Sequence, residues 1–160
     1  RPSGIPEAIL VSGDTAVRIA IDDAGALVAR VMIAHDHRAD DAAIIADHII
    51  DCELRDLAYG GLARVISIVE RLRRTGAPKK LVEVEHQTPV SARLNGNDNL
   101  GYVVAHRATG IAIEKAKAMG LAMVGANQTW YTGMLSVYAE MAAAEGLITK
   151  IGRASCRERV

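Results

Sequence analysis

The chain has 160 residues, of which half are hydrophobic and only 3% aromatic, a composition that argues against a stacking platform for single-stranded nucleic acid. Its 19 Lys and Arg balance 19 Asp and Glu, so nothing in the net charge suggests a polyanion partner or an anionic membrane, and no apolar run is long enough to span a bilayer. Two cysteines are too few for a disulfide framework, so we expect a cytoplasmic globular domain without nucleic-acid or membrane partners.

The N-terminal part of the chain predicts an irregular segment, a short strand and a helix. Residues 1–17 contain prolines and glycines and are treated as irregular, although 15–21 alternate well enough for a short strand. Asp22 or Asp23 can cap a helix that runs to about Ala34, because their carboxylates can accept hydrogen bonds from the first free N–H groups.

Two further helices follow in the sequence. Asp40 can cap a helix over about 41–53, which would bury Ile45, Ile49 and Cys52. A third helix has the clearest apolar spacing, and the breakers in RRTGAPKK (73–80) end it. Its predicted apolar stripe consists of Leu62, Val65, Ile66, Val69 and Leu72.

The second half of the chain predicts strands around a long helix. Segments 81–86 and 90–96 alternate between apolar and polar residues and are joined by a short turn, which is typical of two paired strands. A helix over about 100–119 should end at Gly120, which can take the left-handed cap conformation. The apolar run 121–126 then predicts a strand buried on both faces.

Three further elements complete the pattern: a polar loop, NQTWYTG (127–133), a helix over about 134–145 and a strand in LITKI (147–151). This alternation of helix and strand implies parallel pairing with right-handed crossovers. Ligands bind at the C-terminal ends of such strands, which indicates the 127–133 loop as a candidate site. The pattern predicts an α/β fold, and the usual Rossmann fingerprint is missing because no GxGxxG or Walker motif is present. In it the N-terminal helices pack on a mixed sheet that contains a parallel strand–helix–strand unit.

The last ten residues, IGRASCRERV (151–160), depart from this pattern. They are basic and have no periodicity, and the string resembles one reading frame of a common sequencing adapter. We therefore expect 151–160 to be a non-native tail that adds little to the core, the alternative being a genuine basic tail. Residues 18–150 would then be the N-terminal part of an incomplete domain.

The histidines give only a weak indication of a metal site. His35 and His37 form a His-x-His pair, but a third ligand, His48, would have to fold back from its helix, and no second motif supports zinc. We expect no metal, with the first two histidines in a solvated loop. Cys52 lies on an apolar helix face and is predicted to be a small core residue.

The stretch from Leu94 to Gly133, LNGNDNLGYVVAHRATGIAIEKAKAMGLAMVGANQTWYTG, resembles the middle of the malate/L-lactate dehydrogenase family. The family's "DGxxxLG" turn is NGNDNLG here, and its "N(S/T)NHxG" loop is NQTWYTG. The resemblance extends back to about residue 18. It implies part of an oxidoreductase without the usual dinucleotide fold, which moves hydride between NAD or NADP and a 2-hydroxy or 2-oxo acid such as malate or lactate.

The resemblance also implies a homodimer. The alternative is a non-catalytic homologue that keeps the fold for oligomeric packing or small-molecule binding.

Two histidines that the family uses are absent from this sequence. The segment LRDLAYGGLAR (54–64) matches the family's "D.RG..SHG..R", in which the histidine donates a proton to the substrate carbonyl and the arginine holds a carboxylate. Tyr59 and Gly60 stand at the Ser and His, and Arg64 matches the Arg. In the later loop, Tyr131 stands where a second histidine is expected.

The resemblance therefore implies the following site. Arg64 is expected to bind the substrate carboxylate, with its guanidinium in the cleft between the first helices and the 127–133 loop. Tyr131 is our first candidate for the proton donor and Tyr59 the second, whereas Thr132 and Gly133 are expected to contact the cofactor. The alternative is that both tyrosines are packing residues in a diverged or inactive relative.

Overall fold

The structure is a computed structural model that describes residues 8–11, 17–57 and 59–152, and the predicted tail from 153 onward lies outside these residues. No helix in these ranges is both long and apolar enough to cross a bilayer. In chain order the elements are β1 (Ala8–Val11), β2 (Val17–Ala20), α1 (Ile21–Ala34), α2 (Ala39–Leu54), α3 (Ala63–Thr75), β3 (Glu83–Thr88), β4 (Ser91–Leu100), α4 (Gly101–Met119), β5 (Met123–Trp130) and α5 (Leu135–Ala144).

The strands form a hairpin and a three-stranded mixed sheet. β1 pairs antiparallel with β2, and the second sheet has the order β3-β4-β5. β3 runs antiparallel to β4, whereas β5 runs parallel to β4 and is reached through α4. The predicted α/β class is therefore confirmed, with helices on a mixed sheet and a parallel strand–helix–strand unit.

The core lies where the helices α1 to α4 meet the ends of β4 and β5. Ile45, Ile49 and Ile68 are fully buried, and burying each such side chain contributes roughly 1.5–3 kcal/mol. In α3, Ile66 was predicted in the apolar stripe but is exposed, whereas Ile68, which was not predicted there, is fully buried, so that part of the prediction was wrong. The cluster consists of Val28, Met32, Ala42, Ile45, Ala46, Ile49, Ile68, Leu72, Leu100, Tyr102, Val103 and Trp130.

The predicted helix caps were wrong at the starts of α1 and α2. Ala20 and Arg38 occupy the N-cap positions, and neither makes a side-chain cap hydrogen bond. Asp22, Asp23 and Asp40 instead lie inside the first turns, where a carboxylate is favoured by the helix dipole without serving as the cap. At the other end of α4, Gly120 takes the left-handed cap conformation as predicted.

Strand β5 is not buried on both faces as the sequence indicated. It begins at Met123 and takes in half of the predicted loop, and the side chains of Leu121 and Met123 are 73% and 75% exposed. Within the described residues β5 pairs only with β4, so nothing covers its outer side. Residues 147–151 form no strand, and β1 lies in the segment that was predicted to be irregular.

An irregularity in the β4–β5 ladder brings two backbones very close together. The register shifts between Asn95 and Asn99, where Asn97 and Asp98 have φ values of 48° and 61°. A Cβ atom on Gly96 would lie only 2.5 Å from the carbonyl oxygen of Gln128, so this position requires glycine. The NGNDNLG segment therefore shapes the end of the parallel pair, next to which the candidate site lies.

We expect Gly96→Ala to destabilise the fold by about 1–3 kcal/mol, because the added methyl group would have to displace backbone rather than a flexible side chain. Gly110→Ala is the matched control, since an added Cβ on this helical glycine meets nothing within 4 Å and alanine favours helix. The free energy of unfolding from denaturant titration checks both. Equal free energies of unfolding for Gly96→Ala and the unmodified chain would show that Gly96 does not lie this close to the backbone of Gln128.

Candidate functional site

A cavity of about 160 Å³ lies between the α2–α3 connection and the ends of the parallel strands. One wall is formed by Cys52 near the end of α2, Tyr59 and Gly60 in the connection, and Arg64 in the first turn of α3. The opposite wall is formed by Tyr102 in the first turn of α4 and residues 131–134 after β5. The cavity is therefore at the C-terminal ends of two parallel strands, where the topology predicted a ligand site.

Gly133 is the point at which the loop after β5 contacts the helices. Its φ is 76°, and a Cβ atom there would lie 2.2 Å from Nε2 of His48 and 2.4 Å from Cε1 of Tyr102. Both the backbone conformation and the available space therefore require glycine. Gly101 has a similar role on the facing side, because its Cβ would meet the backbone nitrogen of Thr132 at 2.8 Å.

Arg64 and Tyr131 are in direct contact on opposite walls of the cavity. The guanidinium carbon of Arg64 lies 4.9 Å from the centre of the Tyr131 ring, a cation–π distance. Within the described residues, no carboxylate makes an ion pair with Arg64. The Tyr131 side chain is 41% exposed, and its φ of 50° places it at a sharp backbone turn. Both side chains were predicted to face one cleft.

The ring of Tyr131 is supported from behind by Trp130. The two ring centroids are 5.2 Å apart in an edge arrangement. The indole N–H of Trp130 donates to the carbonyl oxygen of Asp98 at 2.8 Å, and the Arg71 guanidinium lies 4.3 Å above the indole ring. These contacts fix the strand end that carries Tyr131 against the β4 irregularity.

Tyr59 lies at the rim of the cavity, and the segment after it is held close to α2. The Tyr59 side chain is 72% exposed, so most of it is in contact with water. Glu53 accepts a hydrogen bond from the backbone N–H of Leu62 at 2.7 Å, and a Cβ on Gly61 would overlap this carboxylate. A Cβ on Gly60 would lie 3.3 Å from the sulfur of Cys52, so the backbone itself closes this side.

His48, which the sequence offered only as a weakly supported third metal ligand, lies directly behind the cavity. Its side chain is 3% exposed and stacks on Tyr102, with ring centroids 4.2 Å apart and an interplanar angle of 11°. The backbone N–H of Met134 donates to Nε2 of His48 at 2.9 Å. Burial lowers the pKa of His48 to about 4, so at neutral pH the ring is uncharged and its Nε2 serves as an acceptor.

Two further tyrosines were missed because nothing local in the sequence marks them. Tyr102 lines the cavity with a buried side chain, and desolvation raises its pKa to about 12. Tyr138, on α5, donates its hydroxyl hydrogen to the carbonyl oxygen of Thr132 at 2.6 Å and is held there by burial, which also raises its pKa. Tyr138 thus supports the loop, whereas Tyr102 contributes to the cavity wall.

The structure corrects the expectation for His37. This histidine is buried rather than solvated, and its Nε2 has no hydrogen-bond partner within the described part of the chain. Desolvation lowers its pKa, partly offset by Asp41. No group of three or more His, Cys, Asp and Glu residues that could hold a metal ion occurs in 8–11, 17–57 and 59–152.

The geometry defines an α/β protein whose cavity lies at the ends of a parallel strand pair and combines one cation with several phenols. The model of the malate/L-lactate dehydrogenase family matches residues 19–157, and the chain belongs to this family.

Known relatives agree with this assignment. Malate dehydrogenase of Pyrococcus abyssi is 33% identical over 135 residues, which are 82% of this chain and 37% of that protein. L-sulfolactate dehydrogenase of Methanothermobacter thermautotrophicus is 29% identical over 133 residues, 82% of this chain and 39% of that protein. The structure of malate dehydrogenase from Pyrococcus horikoshii superposes with a TM-score of 0.77 at 29% identity, over 86% of this chain and 41% of that one. The chain thus spans about two fifths of the length of these relatives.

We expect the free energy of unfolding to fall as the pH is lowered from about 6.5 to about 4, because the unfolded chain can protonate His48 and the folded chain resists it. The contribution of His48 to the free energy of unfolding is on the order of 3 kcal/mol. It is fully present above the pKa that His48 has in the unfolded chain and is lost as the pH falls through its lowered pKa in the folded chain. His48→Gln keeps an acceptor for the Met134 N–H but does not titrate, so denaturant titrations across this range should show a flatter profile. Parallel profiles for the unmodified protein and His48→Gln would show that the pKa of His48 is not lowered by folding.

Proposed function

We propose that the protein is an NAD(P)-dependent oxidoreductase that transfers hydride between a nicotinamide cofactor and a 2-hydroxy or 2-oxo acid. Family membership and the relatives named as malate and sulfolactate dehydrogenases support this reaction class. The observation that carries the proposal is the Arg64–Tyr131 contact, which puts a cation that pairs with no carboxylate of the described residues next to a phenol in one cavity. A carboxylate and a neighbouring carbonyl oxygen are the two groups that such a pair would bind.

In the proposed reduction, the guanidinium of Arg64 pairs with the substrate carboxylate through its planar fork of N–H donors. The hydroxyl of Tyr131 would then donate its proton to the carbonyl oxygen, and a nicotinamide held beside Thr132 and Gly133 would supply the hydride chemistry at the carbonyl carbon. Tyr59 is the less favoured donor, because its side chain is mostly in water and makes no comparable contact with Arg64. In the opposite direction Tyr131 receives the proton from the hydroxyl group.

The cavity fits a small acid and only one end of a dinucleotide. Its volume of about 160 Å³ is below the roughly 300–1,000 Å³ of complete ligand pockets. Thr132 and Gly133 form part of its wall, so we propose that they contact the nicotinamide end of NAD or NADP. Small backbone-exposing residues allow a flat ring to approach closely. The remaining cofactor contacts would lie outside this cavity.

We further propose a cytoplasmic homodimer that acts on a small acid and binds neither nucleic acid nor membranes. The zero net charge supports the absence of polyanionic partners. Exposed apolar residues at the α4–β5 connection, such as Met119 and Leu121, support association with another protein surface.

The second candidate function is a non-catalytic homologue that keeps the fold for packing or small-molecule binding. Gly60 favours it, because it stands at the family's proton-donating histidine and glycine cannot transfer a proton. An assay of NAD(P)H oxidation by the full-length protein with a panel of 2-oxo acids separates the two candidates. Turnover supports the oxidoreductase, and its absence on every acid supports the non-catalytic protein.

In the active full-length protein, Tyr131→Phe should lower kcat by about 10²–10⁴-fold and leave KM little changed, since it removes the proton donor but keeps the ring below Arg64. Tyr59→Phe is the matched control at the rim and should reduce turnover far less. Steady-state kinetics of both variants with the best acid provide the test. Normal turnover of Tyr131→Phe would remove Tyr131 from the mechanism, and a large loss in Tyr59→Phe would transfer the role to that residue.

Arg64→Ala should chiefly raise KM, by about 10–100-fold, because a charged hydrogen-bonded pair with the substrate is lost. Arg64→Lys keeps the charge but not the planar fork, so its KM should lie between the values of the unmodified protein and of Arg64→Ala. The KM of the acid and the KM of the cofactor are measured separately. An effect on the cofactor alone would place Arg64 outside the carboxylate site.

A further inference from the structure

Helix α3 carries a second arginine two turns after Arg64. Arg71 lies on the same face of this helix, about 10 Å further along its axis. The Arg64 guanidinium carbon lies 4.9 Å from the centre of the Tyr131 ring. The Arg71 guanidinium carbon lies 4.3 Å from the centre of the ring of Trp130, the residue immediately before Tyr131. One face of α3 therefore contacts both rings at the end of β5.

Arg71 is itself fixed by a second contact, to the irregular end of β4. Its Nη2 donates a hydrogen bond to Oδ1 of Asp98 at 3.1 Å. The indole N–H of Trp130 donates to the backbone carbonyl oxygen of the same Asp98 at 2.8 Å. Arg71, Asp98 and Trp130 thus form a closed set of three mutual contacts. The Trp130 side chain is only 9% exposed, so its ring has little freedom to move within this set.

Trp130 connects these three residues to the cavity. Its ring meets the ring of Tyr131 in an edge arrangement, with centroids 5.2 Å apart. The Tyr131 side chain is 41% exposed and lies at a sharp backbone turn, where several rotamers are accessible to a tyrosine. The position of its hydroxyl therefore depends on its two ring contacts, Trp130 and the Arg64 guanidinium.

We propose that Arg71 is a positioning residue that acts through Trp130 to hold the hydroxyl of Tyr131 at the carbonyl end of the bound acid. This inference rests on the proposed function, in which Arg64 binds the carboxylate of that acid. Arg71 then sets the distance between the carboxylate site and the phenol. A reacting group displaced by about 1 Å can lower turnover by about a hundredfold, so the effect of Arg71 belongs in kcat rather than in the KM of the acid.

The test measures kcat and the KM of the best acid in the full-length protein. Arg71→Met keeps an apolar stem and removes both contacts of the guanidinium, so kcat should fall at least about tenfold while the KM of the acid stays within about twofold. Arg71→Lys keeps a positive charge next to the indole and should recover part of the loss. Arg74→Met removes an exposed guanidinium from the last turn of the same helix and should change neither constant. An unchanged kcat in Arg71→Met would overturn the inference and leave the proposed function intact.

A double-mutant cycle tests whether Arg71 acts through Tyr131 rather than through the stability of the fold. In the Tyr131→Phe background the hydroxyl is already absent, so adding Arg71→Met should lower the remaining kcat by less than about twofold. A general loss of folded protein would instead lower kcat equally in both backgrounds. A further tenfold loss in the Tyr131→Phe background would therefore contradict the inference.

Asp98→Asn provides a second variant that keeps the fold. The Asp98 side chain is 59% exposed, and asparagine tolerates its positive φ of 61°. This change removes the ionic contact of Arg71 but keeps the carbonyl oxygen that binds Trp130, so kcat should fall about two- to fivefold with KM unchanged. If Arg71→Met does not fold, an unchanged kcat in Asp98→Asn decides against the inference. Absence of turnover on every acid in the unmodified full-length protein overturns the proposed function, and this inference with it.

Discussion

The site depends on one close contact between the loop after β5 and the helix α2. The backbone N–H of Met134 donates to the imidazole of His48, and Gly133 leaves just enough room for the stacked rings of His48 and Tyr102. This contact joins residues that are 86 positions apart in the chain. It sets the position of Thr132 and Tyr131, and therefore the distance between Tyr131 and Arg64. A larger residue at 133 would move one complete wall of the cavity.

Helix α2 is the common support for this arrangement. At its start, the buried carboxylate of Asp41 accepts a hydrogen bond from Arg107 on α4 at 2.5 Å, and removing Arg107 would leave this buried carboxylate without its charged partner. At its end, Arg55 makes paired hydrogen bonds of 2.8 and 2.7 Å to Glu140 on α5. Arg55 is more exposed, so this pair adds orientation more than stability. Between them, His48 and Glu53 hold the two loops that form the cavity.

Local signals explain which parts of the fold the sequence could predict. The glycine after α4 and the order of the elements from α1 to α5 depend on neighbours in the chain and were found where expected. The α3 stripe was found only in part, since Ile66 faces outward and Ile68 is buried instead, and the strand predicted after α5 did not form. The burial of β5 depends on what pairs with it across the sheet, which its apolar composition does not reveal. His48 and Tyr102 meet across 54 positions of sequence, so neither carried a local mark of belonging to a site. Arg64 and Tyr131 were found through the resemblance to a family, and their roles stay predictions.

The unpaired edge of β5 affects how readily the isolated chain aggregates in solution. Within the described residues this strand pairs with one other strand. Leu121, just before the strand, and Met123, its first residue, have most of their surface in water. An open strand edge of this kind can template pairing with a second chain. Concentrated samples of the isolated chain would therefore lose material by edge-to-edge aggregation, and a charged residue in place of Met123 would act as a gatekeeper that slows this loss without touching the cavity.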